Sequence, residues 1–281
     1  MKHLFLCGII LLSVTFAKAQ KIHLTFFGGI SNYQGDLQPK KYTFQQANFA
    51  VGFGALYEIT QKLYIRGNIT FASVTGDDKF NGIYLNRNLS FSSPITDVHL
   101  GLEYDLLNSY EKSLAPFIFA GISGFHFNPS TIDTLGAKAY LQPLGTEGQG
   151  FFMGRTKYHL TQLSIPFGGG IKLSLTDNVR VRLEIGFRKT FTDYLDDVSS
   201  TYADPVLLLQ NNGQQAVDLA FRGDELKGSA TVYPNTNSRR GNPKSGDWYY
   251  FTGIGVSFRL SPMFDTGNGP GKKKSGCPIN F

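Results

Sequence analysis

After its first twenty residues the chain alternates apolar and polar positions with a period of two. In the segment 247–260, Trp248, Tyr250, Ile254, Val256, Phe258 and Leu260 share one face, while Tyr249, Gly253, Gly255, Ser257 and Arg259 share the other. Residues 179–191 repeat the arrangement: Val179, Val181, Leu183, Ile185, Phe187 and Phe191 alternate with Arg180, Arg182, Glu184, Gly186 and Arg188. Side chains of a strand point alternately to opposite faces, so such segments read as strands with one apolar and one polar face. Eight are predicted, at about 22–31, 47–59, 62–74, 94–106, 115–127, 157–175, 178–192 and 247–260. The sixth changes phase near Pro166, which predicts a bulge or bend there.

Length separates a membrane strand from a soluble one. Ordinary strands run about 5–6 residues, whereas a tilted strand needs about 9–11 to cross a bilayer. The predicted strands reach the longer value. Connections alternate as well: Thr60-Gln61, Thr176-Asp177 and a modest stretch around Asn108 and Ser109 are short, while 32–46, 75–93, 128–156 and 193–246 are long. The fold class expected is all-β, an antiparallel transmembrane β-barrel of about eight strands, with short periplasmic turns, long extracellular loops and both termini on the periplasmic side.

The first residues fit that destination. Lys2 and His3 precede an apolar stretch, 4–16, and Ala17-Lys18-Ala19 supplies small residues at a cleavage point, so 1–19 read as a cleaved signal peptide for export through the inner membrane. Cys7 lies within the apolar core of the signal, which argues against a lipid anchor. The barrel is expected over 20–261 and a flexible basic periplasmic tail over 262–281. Without Lys2 and Lys18, the 27 basic residues fall to 25 against 21 acids. That small excess is not a nucleic-acid signature. Charged residues make up 17% of the chain, below the roughly 25% of soluble domains. The 32 Gly, 24 Phe and 14 Tyr suit barrel walls and membrane interfaces. Of the two cysteines only Cys277 survives processing, which leaves no internal disulfide.

The polar faces predict the barrel's interior. Glu58, Arg66, Asp97, His99, Glu103, Arg180, Arg182, Glu184, Arg188 and Arg259 would point into a lumen too narrow to stay open, and unpaired charges there would be costly. A hydrogen-bonded charge network filling the lumen is expected, with a gated ion path as the alternative. Inward Gly52, Gly54, Gly253 and Gly255 would make room for the arginines. His23, His99 and His126 could also face inward, but they lie on different strands with no metal-ligand spacing and read as satisfied core or rim residues. Gly28-Gly29 and Gly168-Gly169-Gly170 are wall glycines, since no helix follows to make a phosphate loop. Asp193, Asp196 and Asp197 gather where strand seven ends. They are weak calcium candidates, without a calcium-loop spacing, and a role in ordering the long loop is the stronger reading. In the tail, the basic run Lys272, Lys273, Lys274 could hug anionic headgroups, or it could dock an acidic periplasmic partner to which Cys277 could also cross-link.

Three islands, Ser31-Asn32-Tyr33-Gln34-Gly35-Asp36-Leu37, the run from Phe187 to Ser199, and Cys277-Pro278, resemble the PorG-like outer-membrane barrels of the type IX secretion system and their relatives of unassigned role. The resemblance implies a barrel that anchors a periplasmic ring of a lipoprotein and a soluble subunit, supporting protein secretion or gliding without itself being the pore. The insert 203–246 carries none of these motifs. The chain is therefore expected to be a non-enzymatic outer-membrane protein, in contact with outer-membrane lipid and a periplasmic ring, with no cofactor, nucleic acid or small-molecule substrate. A surface-exposed adhesion or ligand-binding barrel acting through the loops 128–156 and 193–246 is the first alternative, and an outer-membrane enzyme the second.

Overall fold

The computed structural model describes residues 21–260 apart from 41, 81, 83 and 227–231. The expected signal and basic tail, with Lys272, Lys273, Lys274 and Cys277, lie outside the described residues.

Eight long strands form a closed antiparallel barrel. They are β1 (Ile22–Gln34), β2 (Asn48–Glu58), β3 (Leu63–Asp77), β4 (Ser90–Asp105), β5 (Leu114–Phe127), β8 (Thr161–Ser174), β9 (Val179–Thr190) and β10 (Trp248–Arg259). Each pairs with its neighbours in sequence, and β1 closes the ring on β10. Closure leaves no strand edge, the only arrangement in which sheet backbone can meet hydrocarbon. At the seam Gly29 faces Gly253. A Cβ on Gly29 would sit 2.2 Å from the Thr252 carbonyl oxygen, and one on Gly253 2.3 Å from that of Gly28. Any side chain at this pair would push β1 and β10 apart.

The outward positions form an apolar belt that includes Phe53, Ile69, Leu100, Ile122, Leu163 and Leu183, with Ile122 67% and Leu163 66% exposed. A belt of this size would be a liability in water and is at home in lipid. Among the described residues no helix is long and apolar enough to cross a membrane, so the strands, 11–16 residues each, are the crossing elements.

Two expectations are corrected. Strand β8 keeps one phase through Pro166: Ser164, Pro166 and Lys172 are buried, Leu163, Ile165, Phe167, Ile171 and Leu173 exposed. The register with β5 and β9 is the same on both sides of the proline. No extra residue is needed because Pro166 simply occupies an inward position, with the β5 ladder interrupted beside it. His126 is exposed on the outer face beside Thr161, since inward positions of β5 are the odd ones, Phe117 to Phe127. Strand ends differ too. β1 runs three residues further than expected, and the sixth long strand begins at Thr161 rather than 157.

The long connections fold into a cap over one end of the barrel. Between β5 and β8 lie a hairpin, β6 (Ser130–Ile132) with β7 (Lys138–Tyr140), and a short helix α1 (Leu141–Leu144). Between β9 and β10 lie α2 (Pro205–Asn212) and α3 (Gln214–Ala220). Asp204 caps α2 by accepting from the backbone N–H groups of Val206 and Leu207. The apolar core sits at this end, where Tyr33, Phe91, Phe125, Phe127, Leu195, Val198, Tyr249 and Phe251 pack together.

Candidate functional site: a charge-filled lumen under a carboxylate cap

Parity along the strands delivers charged side chains from four walls to one level of the lumen. Glu103 on β4, fully buried, accepts from Arg66 of β3 at 3.1 Å and from Arg182 of β9 at 3.1 and 2.5 Å. Lys172 of β8 lies 2.7 Å from Glu103 and 2.5 Å from Asp105. Glu184 receives Arg66 in a short contact and Arg182 at 3.2 Å. Three cations thus share three carboxylates, all buried or nearly so. A cavity of about 10 Å³, lined by Thr25, Arg66, Asn68, Arg182, Glu184 and Gly255, adjoins this level; it holds about one water and is no passage. Towards the short-turn end, His23 lies 3.3 Å from Glu58, which also receives the Tyr110 hydroxyl. Arg180 and Arg259 stack on the Tyr110 ring at 4.5 and 5.4 Å. Towards the cap, Tyr249 donates to Asp97 at 2.7 Å, and Arg188 lies 3.8 Å from Asp97 with its guanidinium over Phe251.

Every charged residue predicted for the lumen is on the inner face. Lys172 and Asp105 were missed. Asp105 shares the odd parity of Asp97 and Glu103, and Lys172 sits between the outward Ile171 and Leu173, so both are legible on that ground.

The cap is where the sequence islands meet. Tyr33 donates to Asp196 at 2.5 Å and lies 3.3 Å from Asp247. The Leu37 N–H donates to Asp196 and the Leu195 N–H to Asp247. Asp36 accepts from the Asn242 N–H at 2.8 Å. Asp197 accepts from Thr146 at 2.5 Å and Tyr158 at 2.8 Å. Arg240 ties the two largest loops together by donating to Glu147 at 3.0 Å and to the Asp197 carbonyl at 2.6 Å. Tyr158 stacks between Phe127 and Tyr194. Burial pushes the carboxyls up: Asp193 to about 8, Asp197 to about 6, with Asp196 and Asp247 raised further by neighbouring carboxylates. Asp196 and Asp197 face different partners, and among the described residues no group of three or more His, Cys, Asp or Glu side chains could hold a metal ion. The cluster ties loop backbone to barrel.

Residues 2–210 match the family model described as Domain of unknown function (DUF6089). The chain belongs to this DUF6089 family. The match ends inside α2, before Arg240, Asp247 and the closing strand β10. No curated protein matches the chain. Among solved structures it is similar to Neisserial surface protein A, at 10% identity and a TM-score of 0.43, covering 85% of this chain and 97% of that one. It is also similar to Ail, the attachment invasion locus protein of Yersinia pestis, solved in complex with the heparin analogue sucrose octasulfate, at 9% identity and a TM-score of 0.40, covering 85% and 97%. A third is the outer membrane protein OprG from Pseudomonas aeruginosa, at 9% identity and a TM-score of 0.40, covering 85% and 96%. At these identities the likeness is one of architecture.

Proposed function

We propose that this DUF6089 chain is a non-enzymatic outer-membrane barrel that acts as a fixed anchor, holding a periplasmic assembly at its short-turn end. The observation that carries this reading is the lumen: Arg66, Lys172 and Arg182 cross-link Glu103, Glu184 and Asp105 between facing walls, so the barrel resists deformation and offers no path for cargo. A plugged membrane body serves by position. The partner implied by the PorG-like islands is the lipoprotein and soluble subunit of the type IX secretion ring. Two of those islands, 31–37 and 187–199, build the junction between barrel and cap through Tyr33, Leu37 and Asp196. They therefore support a shared barrel design, while docking falls to the turns and to the tail with Lys272, Lys273, Lys274 and Cys277.

Purification of the native barrel in mild detergent tests the reading. Co-purification of a ring lipoprotein with its soluble subunit, reduced by deletion of 262–281, is the expected result. Recovery of surface or matrix ligands instead, with no periplasmic partner, would replace the anchor by a surface-binding barrel.

A further inference from the structure

Two recesses adjoin at the loop-side edge of the apolar belt, and Gln34 and Trp248 line both. The first, about 310 Å³, mixes polar and apolar wall and opens among the loops, with Asp36, Tyr84, Arg239, Asn242 and Ser245 among its lining. The second, about 350 Å³, is apolar and lies on the outer wall, where Phe167, Phe187 and Tyr250 complete it. Rings pack edge to face around the second: Trp248 against Phe167 at 6.1 Å and Tyr250 against Phe187 at 5.4 Å. Both volumes fall in the range of small-molecule sites, about 300–1,000 Å³. Trp and Tyr at this height mark the plane of lipid headgroups.

We propose that the paired recesses bind one membrane glycolipid of the loop-side leaflet, its acyl chain in the aromatic recess and its sugar head among the loops. Resting on the membrane-barrel part of the proposed function and not on ring anchoring, the assignment follows from the chemistry of each half. An apolar hollow in a lipid-facing wall is filled by acyl chain. In the polar half, Asp36 accepts and Arg239 donates, which suits hydroxyl groups able to do both, whereas a phosphate would meet the Asp36 carboxylate unfavourably. Tyr84, with the Arg87 guanidinium over one face at 4.8 Å, and Trp248, with the Lys189 ammonium 6.0 Å from its ring, leave the opposite ring faces to meet the C–H side of a sugar ring. A free sugar would leave the contiguous apolar half unused.

Trp248 is the single tryptophan of the chain, so its emission reports on this site alone. The full chain is inserted into phosphatidylcholine vesicles doped with digalactosyl diacylglycerol, with extra chain-matched phosphatidylcholine and free digalactose as the other probes. The expected result is a saturable change in Trp248 emission with the glycolipid only. Arg239→Gln and Asn242→Ala should each weaken it about tenfold, as loss of a hydrogen bond involving a charged or well-placed polar group does. Fast migration on unheated gels shows whether each variant still forms the closed barrel. An equal response to chain-matched phosphatidylcholine, an equal response to free digalactose, or saturation indifferent to both substitutions in folded protein would overturn the proposal. A chain that fails to insert at all would remove the membrane reading along with it, a result distinguishable from an inserted barrel with no saturable response.

Discussion

Replacing Glu103 with Gln keeps the size of the side chain and removes its charge. Glu103 is fully buried and faces Arg66, Lys172 and Arg182 at distances of 2.5–3.1 Å. After the substitution those three cations share only Glu184 and Asp105. Breaking a buried ion pair by removing one partner costs about 3–5 kcal/mol, because the remaining charge stays out of water. Native stability is about 5–15 kcal/mol in ordinary domains, so the loss is a large share of it. With a guanidinium slope of roughly 2–6 kcal/mol per molar, the unfolding midpoint should fall by about 1 M. The assay is guanidinium unfolding of the vesicle-inserted protein read by Trp248 emission. Adding Arg182→Met to Glu103→Gln leaves two complete pairs, Arg66 with Glu184 and Lys172 with Asp105. The double variant should therefore be more stable than Glu103→Gln alone. A single variant within about 1 kcal/mol of the parent, or a double variant less stable than the single, would refute the description of the lumen as a balanced charge cluster.

Two further outcomes concern the cap. Burial holds the folded-state pKa of Asp197 near 6 and that of Asp193 near 8, both above the ordinary carboxyl value of 3.8. The stability they contribute is complete below that ordinary value and is lost as pH rises, first through 6 and then through 8. Hydrogen exchange of the Val198 and Ser199 amides, corrected for intrinsic rates, should accordingly show less protection at pH 9 than at about pH 4, and Asp197→Asn should remove the part of the loss that lies between about 4 and 6; protection that grows with pH would contradict this. Arg240→Gln removes the cation from buried Glu147, at a cost of about 3–5 kcal/mol, and should open the 193–246 loop to limited proteolysis while fast migration of the barrel on unheated gels persists.

The fold was legible where physics is local. Alternation in Val179 to Phe191 and Trp248 to Leu260 is enough to say which side chains meet lipid, because a strand has only two faces. That parity also placed Arg66, Glu103, Arg182 and Glu184 inside. It fails at Pro166, where a bulge or bend is expected but the register with β5 and β9 is unchanged across the proline and only the β5 ladder is interrupted. The inward parity of Lys172 is legible from Ile171 and Leu173 beside it, but its contacts with Glu103 and Asp105 depend on register across the barrel. His126 was misplaced because a lone histidine carries no sign of its face until the parity of its strand is fixed by neighbours.

Left to itself, the sequence determined that there are long two-faced strands, that their polar faces carry both signs of charge, and that short and long connections alternate. Each of these depends on neighbours a few residues apart. Which charges pair depends on register across the barrel, and Arg66 and Glu184 are separated by 118 residues yet share one hydrogen bond. The cap is more distant still from local rules: Tyr33, Asp196 and Asp247 come from three separate stretches of chain, and only closure of β1 on β10 brings them within reach of one hydroxyl. The adjoining recesses at Trp248 likewise exist only after closure, since β1, β8, β9, β10 and the loop ends each supply part of the wall.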